Sequence, residues 1–140
     1  MKPLTREWVQ KAEEDYISAQ REYRARKSPN YNATCFFAQQ VIGKYLKARL
    51  QEAEIEFGKI HDLVELLELV KPVEPLWQPY RPIFRPITVY AVQFRYPGEI
   101  ASKEEAKDAL KICREFRRAA RQSLGLPECP PSPLSSPCLG

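Results

Sequence analysis

Apolar residues recur at helical spacing from the start of the chain. The first set of apolar positions is Trp8, Ala12, Tyr16, Ala19 and Tyr23. Steps of three and four residues place these side chains on one face of a helix. The pattern predicts a first helix over residues 6–26, with Thr5 as its N-cap and Ser28-Pro29-Asn30 after its end.

The same spacing continues through the middle of the chain. Two neighbouring apolar rows, Phe37, Val41 and Tyr45 beside Ala38, Ile42 and Leu46, predict a second helix over residues 31–52. Gly58 then allows a sharp turn. A leucine-rich segment over residues 60–70 predicts a short third helix.

Prolines interrupt the pattern after this third helix. They fall every three or four positions, at Pro72, Pro75, Pro79, Pro82 and Pro86. An interior proline costs a helix about 3 kcal/mol, so one regular helix across all five is excluded. We therefore predict an irregular segment over residues 71–82. A helix follows over 83–95, with Pro86 in its first turn and Tyr96-Pro97-Gly98 as its stop.

The last helix has clear signals at both ends. Ser102 and Glu105 form a capping box, and Gly125 is a typical residue beyond a helix end, so we predict a helix over 102–124. The Pro-rich residues 126–140 follow, and we expect this tail to be disordered and dispensable for folding. No strand pattern competes. The fold class is therefore all-α, an antiparallel bundle of four to five helices over residues 1–125.

Composition and cysteine positions restrict the number of domains, the cellular location and the state of the thiols. A chain of 140 residues with a net charge of +4 fits one domain, and it contains neither a signal-peptide segment nor an apolar run long enough to span a membrane. We expect a cytoplasmic protein without a membrane partner. Cys35 and Cys113 lie on apolar helix faces, whereas Cys129 and Cys138 lie in the tail, and all four are expected to be reduced thiols.

Cations cluster near two predicted helix ends. They are Arg21, Arg24, Arg26 and Lys27 in the first cluster, and Arg114, Arg117, Arg118 and Arg121 in the second. One interpretation is stabilisation of each helix by cations at the negative end of its dipole. The other is a basic surface for RNA or for the acidic face of a partner.

Several polar motifs sit at defined places in this helical frame. They are Gln39-Gln40 with Lys44, the segment His61-Asp62-Leu63, and Arg95-Tyr96-Pro97, together with Trp8 and Asp15. Over roughly residues 6–124 the sequence resembles the HEPN family, helical bundles named for nucleotide binding in higher eukaryotes and prokaryotes. It is most similar in pattern to small HEPN proteins encoded beside a minimal nucleotidyltransferase.

The resemblance implies partners and a function. It implies a homodimer that acts with a minimal nucleotidyltransferase protein, as in a toxin–antitoxin pair, and that binds a nucleotide or RNA. The apolar side chains of Trp77, Tyr80, Phe84 and Phe94 also predict a homodimer, because one small core has limited room for them.

A catalytic motif of the family is missing from the sequence. Many HEPN ribonucleases use Arg-x(4–6)-His, yet His61 is the only histidine and positions 54–56 before it are Glu54, Ile55 and Glu56. We therefore predict no catalytic residues of that type. The alternatives are an atypical metal-independent ribonuclease that uses Arg95, His61 and a tyrosine, or a purely structural dimer.

The candidate nucleotide-binding residues are Lys44, Lys47, His61 and Arg95. Each also has a structural interpretation. His61 could bond to backbone or to a carboxylate such as Asp15, the lysines could be a solvated helix edge, and Arg95 could pair with Glu13 or Glu14. A single histidine without neighbouring ligands predicts no metal site. We also expect no cofactor.

Overall fold

The computed structural model describes residues 1–128, apart from the side chain of Ala91. Within that range the chain forms five α-helices and one 3₁₀ helix, with no strand, so the all-α prediction is confirmed. The elements are α1 (Pro3–Arg24), α2 (Tyr31–Glu52), α3 (Leu63–Val70), a 3₁₀ helix (Pro75–Tyr80), α4 (Arg81–Gln93) and α5 (Lys103–Ser123).

Helix α2 is the centre of the bundle and has the predicted bounds. It packs against α1, α3, α4 and α5, and twelve of its 22 residues are buried. The side chain of Asn30 caps its start by accepting a hydrogen bond from the amide of Ala33 at 3.0 Å. A helix buried on so many sides fixes the position of every element that packs on it.

Helix α1 begins three residues earlier than predicted, and Thr5 is not its N-cap. Lys2 is the N-cap and Pro3 occupies the first turn, where its missing N–H has no consequence. Thr5 is instead buried and donates to the Glu52 carboxylate at 3.0 Å. The hydroxyl therefore ties α1 to the end of α2, a contact that local sequence does not reveal.

Helix α3 begins at Leu63, three residues later than predicted. Asp62 is its N-cap, and its carboxylate accepts from the amides of Val64 at 2.8 Å and Glu65 at 3.3 Å. The sharp turn at Gly58 is confirmed by a φ of 56°, a conformation that glycine adopts without strain. His61 consequently lies just before the helix rather than inside it.

The Pro-rich segment is more regular than predicted. A 3₁₀ helix runs directly into α4, so α4 starts at Arg81 with Pro82 in its first turn. The prediction that Pro86 lies in the first turn is wrong, because Pro86 sits inside the helix. Pro82 and Pro86 are both exposed, so the carbonyl group left unpaired by Pro86 can bond to water.

Contacts among four aromatic rings pack the 3₁₀ helix and the start of α4 against α5. The Phe116 ring centroid lies 4.9 Å from that of Trp77, 5.3 Å from that of Tyr80 and 5.1 Å from that of Phe84. These edge-to-face contacts are the geometry that aromatic pairs prefer. Trp77, Phe84 and Phe94 are buried and Tyr80 is half-buried, so they are core residues and not the surplus apolar surface that we expected.

The ends of α5 confirm both sequence signals. Ser102 and Glu105 exchange capping hydrogen bonds of 3.0 Å. The helix ends at Ser123, and Gly125 adopts a φ of 72° immediately after its C-cap.

Cys35 and Cys113 are buried free thiols, and burial raises the pKa of Cys35 to about 12. Cys129 and Cys138 lie outside the described residues.

A polar network joins α1, α2 and α5 in the interior. The Glu13 carboxylate accepts two hydrogen bonds of 2.7 Å from Arg117 and one of 2.5 Å from the Tyr45 hydroxyl. Arg121 donates to the same hydroxyl at 3.0 Å. Both arginines are buried, so neither contributes to a basic surface. Arg121 does lie in the last turn of α5, at the negative end of the helix dipole, as one interpretation of the sequence expected.

Glu13 stays ionised although its side chain is largely buried. Burial alone would raise the pKa of Glu13, but the hydrogen bonds from Arg117 and Tyr45 and the nearby arginine charges outweigh it and hold the pKa below its usual value of 4.5. The carboxylate is therefore ionised at neutral pH and balances the buried guanidinium groups.

Residues 126–128 supply two further hydrogen-bond acceptors to the arginines of this network. Arg121 donates to the carbonyl of Pro127 at 2.6 Å, and Arg117 donates to that of Glu128 at 3.2 Å. Leu126 is half-buried against the core. The beginning of the tail thus contacts the bundle. The predicted disorder of residues 129–140 lies outside the described residues and stays a prediction.

We expect Glu13→Gln to lower the free energy of unfolding by about 3 kcal/mol at pH 7, because it leaves buried arginine charges unbalanced. Because the pKa of Glu13 is lower in the folded state, its contribution is complete above the unfolded value of 4.5 and is lost as pH falls through the folded value. The difference between variant and wild type should therefore shrink as pH falls below about 4.5.

Urea unfolding at several pH values measures this difference. Glu14→Gln is the matched control, because Glu14 is the exposed neighbour and takes part in no ion pair among residues 1–128. Equal effects of the two substitutions, or a difference independent of pH, would contradict the role of Glu13.

We expect two truncations to behave differently. Removing residues 129–140 should leave the melting temperature nearly unchanged, because that segment has little apolar surface to bury. Removing residues 126–140 should cost about 2–3 kcal/mol, because Arg117 and Arg121 lose carbonyl acceptors. Thermal unfolding of both forms tests this, and equal melting temperatures would show that residues 126–128 do not stabilise the bundle.

Candidate functional site

One cleft of about 480 Å³ brings together polar residues from three parts of the chain. It lies between the first half of α2, the start of α3 and the second half of α4. Its lining residues are Phe36, Gln39, Gln40, His61, Asp62, Thr88, Val92 and Arg95.

Helix α2 contributes the wall formed by Phe36, Gln39 and Gln40. Steps of three and four residues place all three on the same side of the helix. Gln39 is buried, and its amide donates to the backbone carbonyl of His61 at 3.2 Å, which holds the segment before α3 against α2. Gln40 is half-buried, and its side chain forms no hydrogen bond among the described residues. Its amide is therefore available to a ligand.

The start of α3 contributes His61 and Asp62, which are both exposed. The Asp62 carboxylate is engaged in capping α3, as described above. The amide of Leu63 donates to the hydroxyl of Thr88 at 3.3 Å, and this bond connects the start of α3 to α4. These bonds occupy Asp62 Oδ1 and the acceptor side of the Thr88 hydroxyl. Among the described residues Asp62 Oδ2 has no partner and the Thr88 hydroxyl has no acceptor, so both residues can also contact a ligand, and Asp62 brings a negative charge to the cleft.

The α4 wall ends in the arginine that the sequence singled out. Thr88, Val92 and Arg95 follow at steps of four and three residues, and Arg95 lies just past the end of α4. Its guanidinium carbon lies 5.4 Å from the centroid of the Phe36 ring, a cation–π contact. Among the described residues no carboxylate lies within 4.0 Å of Arg95, so its predicted pairing with Glu13 or Glu14 does not occur.

Lys47 lies behind His61, away from bulk solvent. It is only 7% exposed, its ammonium nitrogen lies 3.4 Å from His61 Nδ1, and it lies 5.3 Å from the centroid of the Trp8 ring. Burial, and secondarily the charge of Lys44, lower the pKa of Lys47. Since a charged ammonium group can only donate, this contact fits the His61 tautomer in which Nδ1 accepts and Nε2 carries the proton.

Lys44 does not line the cleft. It forms an ion pair of 2.5 Å with Asp15 of α1, and both side chains are largely buried. Asp15 is therefore the partner of Lys44 and not of His61, contrary to one interpretation of the sequence. Neither Lys44 nor Lys47 is a solvated helix edge. Of the four candidate binding residues, the structure brings His61 and Arg95 into the cleft, places Lys47 behind His61, and leaves Lys44 elsewhere.

Sequence reasoning missed three lining residues, Phe36, Thr88 and Val92. A signal for two of them was present, because Val92 and Thr88 precede Arg95 by three and seven positions and so share its helix face. Phe36 was hidden among apolar neighbours. Its importance comes from the position of Arg95 above its ring, which only the packing of α4 on α2 determines.

The cleft has the chemistry of an anion site with an apolar wall. A free arginine and a histidine with a donor nitrogen suit a phosphate or carboxylate group. Phe36 and Val92 supply apolar surface beside them. Within residues 1–128 no group of three or more histidine, cysteine, aspartate or glutamate side chains could hold a metal ion.

Fold and cleft together describe a small helical bundle with a candidate site, lined mostly by polar residues, where α2, α3 and α4 meet. A scan of known families gives a match to the HEPN domain over residues 5–123. The chain therefore belongs to the HEPN domain family. No curated protein and no solved structure gives a significant match to the chain. Among the described helices, none is both long and apolar enough to cross a membrane.

Proposed function

We propose that this protein is a nucleotide-binding regulatory module of the cytoplasm that acts with a minimal nucleotidyltransferase as one half of a toxin–antitoxin pair. The observation that carries the proposal is the convergence of His61 and Arg95, 34 positions apart in sequence, on one cleft of about 480 Å³. That volume lies within the range of roughly 300–1,000 Å³ typical of small-molecule sites.

The phosphate end of a nucleotide fits the side of the cleft that holds Arg95. Its guanidinium group is exposed and has no carboxylate partner among the described residues, so its donors are available. Arginine binds phosphate oxygens through two parallel hydrogen bonds. His61 offers its Nε2 proton as a further donor, and the buried positive charge of Lys47 behind it strengthens the attraction for an anion.

The base end of a nucleotide fits the α2 wall. Phe36 and Val92 supply apolar surface against which a base can pack, and Gln40 has an unused amide that can both donate and accept. Gln39, Asp62 and Thr88 hold the surrounding backbone in place through their own hydrogen bonds. The cleft thus combines a firm frame with a small number of free polar groups.

The resemblance to small HEPN proteins paired with a nucleotidyltransferase supports the choice of partner. The two exposed residues His61 and Asp62 put the cleft at the surface, where a partner that handles nucleotides can reach its contents. A regulatory role follows from the lack of the Arg-x(4–6)-His motif in the sequence.

A second candidate function is a metal-independent ribonuclease. One observation favours it, namely that Arg95 and His61 line the same cleft although they do not form the sequence motif. Phosphate binding by the arginine and proton transfer by the histidine would then occur at one site. No tyrosine lines that cleft, which removes the third group that this mechanism was expected to use.

A homodimer through α4 belongs to the same proposal. The large apolar residues left exposed between 41% and 79% around α4 are Ile83, Val89, Val92, Tyr96 and Ile100. Such a concentration of exposed apolar side chains on one segment is typical of a protein interface. Because Val92 also lines the cleft, a second copy on this surface would lie beside the ligand site.

We expect Arg95→Ala to weaken ATP binding about tenfold or more, because one charge-assisted phosphate contact contributes roughly 1.5–3 kcal/mol. Lys44→Ala should change the affinity less than about threefold, because Lys44 pairs with Asp15 outside the cleft. Calorimetric titration with ATP, alone and with the nucleotidyltransferase partner, measures both effects.

Arg85→Ala is the matched control, because Arg85 is an exposed arginine of α4 that does not line the cleft. Affinity indifferent to Arg95, or equally sensitive to Arg85, would place the site elsewhere. RNA cleavage by the purified protein that disappears in His61→Ala would instead establish the ribonuclease.

We expect the wild-type protein to sediment as a dimer of twice 16.2 kDa at tens of micromolar, and Val89→Asp to sediment as a monomer. A charge in a buried apolar interface lacks a partner and is costly. Ile17→Asp on α1 is the control, since Ile17 and Val89 are exposed to similar extents, 55% and 52%. A wild-type monomer, or dissociation by the control as well, would contradict a dimer through α4.

A further inference from the structure

A second cavity lies directly beside the candidate cleft, between the start of α2 and the end of α4. Its volume is about 420 Å³. Phe36 and Arg95 line both cavities, and the guanidinium carbon of Arg95 lies 5.4 Å from the centroid of the Phe36 ring. These two side chains therefore mark the boundary between the cleft and the second cavity.

Four aromatic side chains line the second cavity, which we call the aromatic pocket: Phe36, Phe37, Tyr90 and Phe94. The ring centroids of Phe36 and Phe37 are 5.5 Å apart, edge to face, and those of Tyr90 and Phe94 are 5.3 Å apart, stacked. Phe94 is buried and the other three are half-buried. The pocket thus presents apolar ring surface against which a further planar ring packs well.

Few polar groups of the aromatic pocket are free. The Asn32 amide is engaged at both ends, because it donates to the carbonyl of Phe94 at 3.4 Å and accepts from the amide of Ala101 at 2.7 Å. By contrast, the guanidinium group of Arg95 and the hydroxyl of Tyr90 have no hydrogen-bond partner among the described residues. A ligand in the pocket therefore meets one strong donor group and one hydroxyl.

The charge of the aromatic pocket restricts its occupant. Arg95 is the one charged residue among those that line it. Aromatic walls attract cations, but a cation here would lie close to an unbalanced guanidinium group. One guanidinium balances a single negative charge, and its planar fork matches a carboxylate. A doubly charged phosphate would keep part of its charge unbalanced beside apolar rings.

We propose that the aromatic pocket binds a small aromatic carboxylate. Its ring packs against Phe37, Tyr90 and Phe94, and its carboxylate accepts two parallel hydrogen bonds from Arg95. The volume of the pocket lies within the range of roughly 300–1,000 Å³ that is typical of small-molecule sites. Because Arg95 also lines the cleft, a carboxylate bound here competes with a nucleotide for the same guanidinium group. This competition, unlike the binding itself, rests on the proposed function.

Three matched ligands test the binding, by nuclear magnetic resonance titration of the full chain. We expect phenylacetate to bind. Benzylamine, which carries an ammonium group in place of the carboxylate, should not bind. Cyclohexylacetate should bind about two- to tenfold more weakly, because it lacks the additional attraction between aromatic rings. Nuclear Overhauser contacts from the phenylacetate ring to the Ala33 methyl group and the Tyr90 ring should place the ligand in the wild-type protein.

Two variants separate the aromatic pocket from the cleft. Ala33→Phe fills the pocket and should abolish phenylacetate binding without changing ATP affinity, because Ala33 lines the pocket and not the cleft. Arg95→Ala should weaken phenylacetate binding at least about tenfold. Ala119→Phe is the matched control, since Ala119 is another half-buried helical alanine and lines neither cavity. Thermal unfolding shows which variants fold, and the Overhauser contacts in the wild type decide the location if Ala33→Phe does not.

Four results would overturn the proposal. They are no phenylacetate binding by the wild type, equal binding of benzylamine, Overhauser contacts to residues outside the pocket, and unchanged phenylacetate binding in a folded Ala33→Phe variant. ATP affinity unaffected by saturating phenylacetate would overturn the competition. If ATP does not bind to the wild type, the proposed function fails, while the phenylacetate titration still decides the aromatic pocket.

Discussion

The ionised carboxylate of Glu13 is the interaction on which the bundle most depends. It lies between two buried arginines of α5 and the hydroxyl of Tyr45 in α2, so a single charge joins three helices. Buried arginines without this counter-charge would be strongly unfavourable. The network also specifies one arrangement of α1 against α5, because the two hydrogen bonds of 2.7 Å from Arg117 require a fixed geometry.

Helix α1 in turn supports the candidate site through contacts with two lysines of α2. Trp8 and Asp15 belong to α1, and they contact Lys47 and Lys44 on α2. Lys47 then reaches His61 at the rim of the cleft. A change in the packing of α1 would therefore alter the cleft through His61, although no residue of α1 is among the residues that line it. The residues that resemble the HEPN pattern thus divide into two kinds. His61 and Arg95 line the candidate site, whereas Asp15, Lys44 and Trp8 lie behind it.

Local signals explain why much of the fold could be predicted from the sequence. The bounds of α2 follow from the apolar spacing and from Asn30, and the start of α5 follows from the Ser102–Glu105 capping box, both of which depend only on nearby residues. The errors arose from tertiary contacts. Thr5 resembled a cap but binds Glu52, and Trp77 resembled surplus apolar surface but packs on Phe116. His61 and Arg95 could be selected by resemblance, whereas Phe36 required the three-dimensional structure.

The polar groups of the cleft are held in a fixed frame, and this bears on what the cleft can recognise. At the cleft, Gln39, Asp62 and Thr88 are already bonded to backbone, so the free groups Gln40, His61 and Arg95 are presented from a fixed frame. Fixed donors discriminate between ligands of different shape.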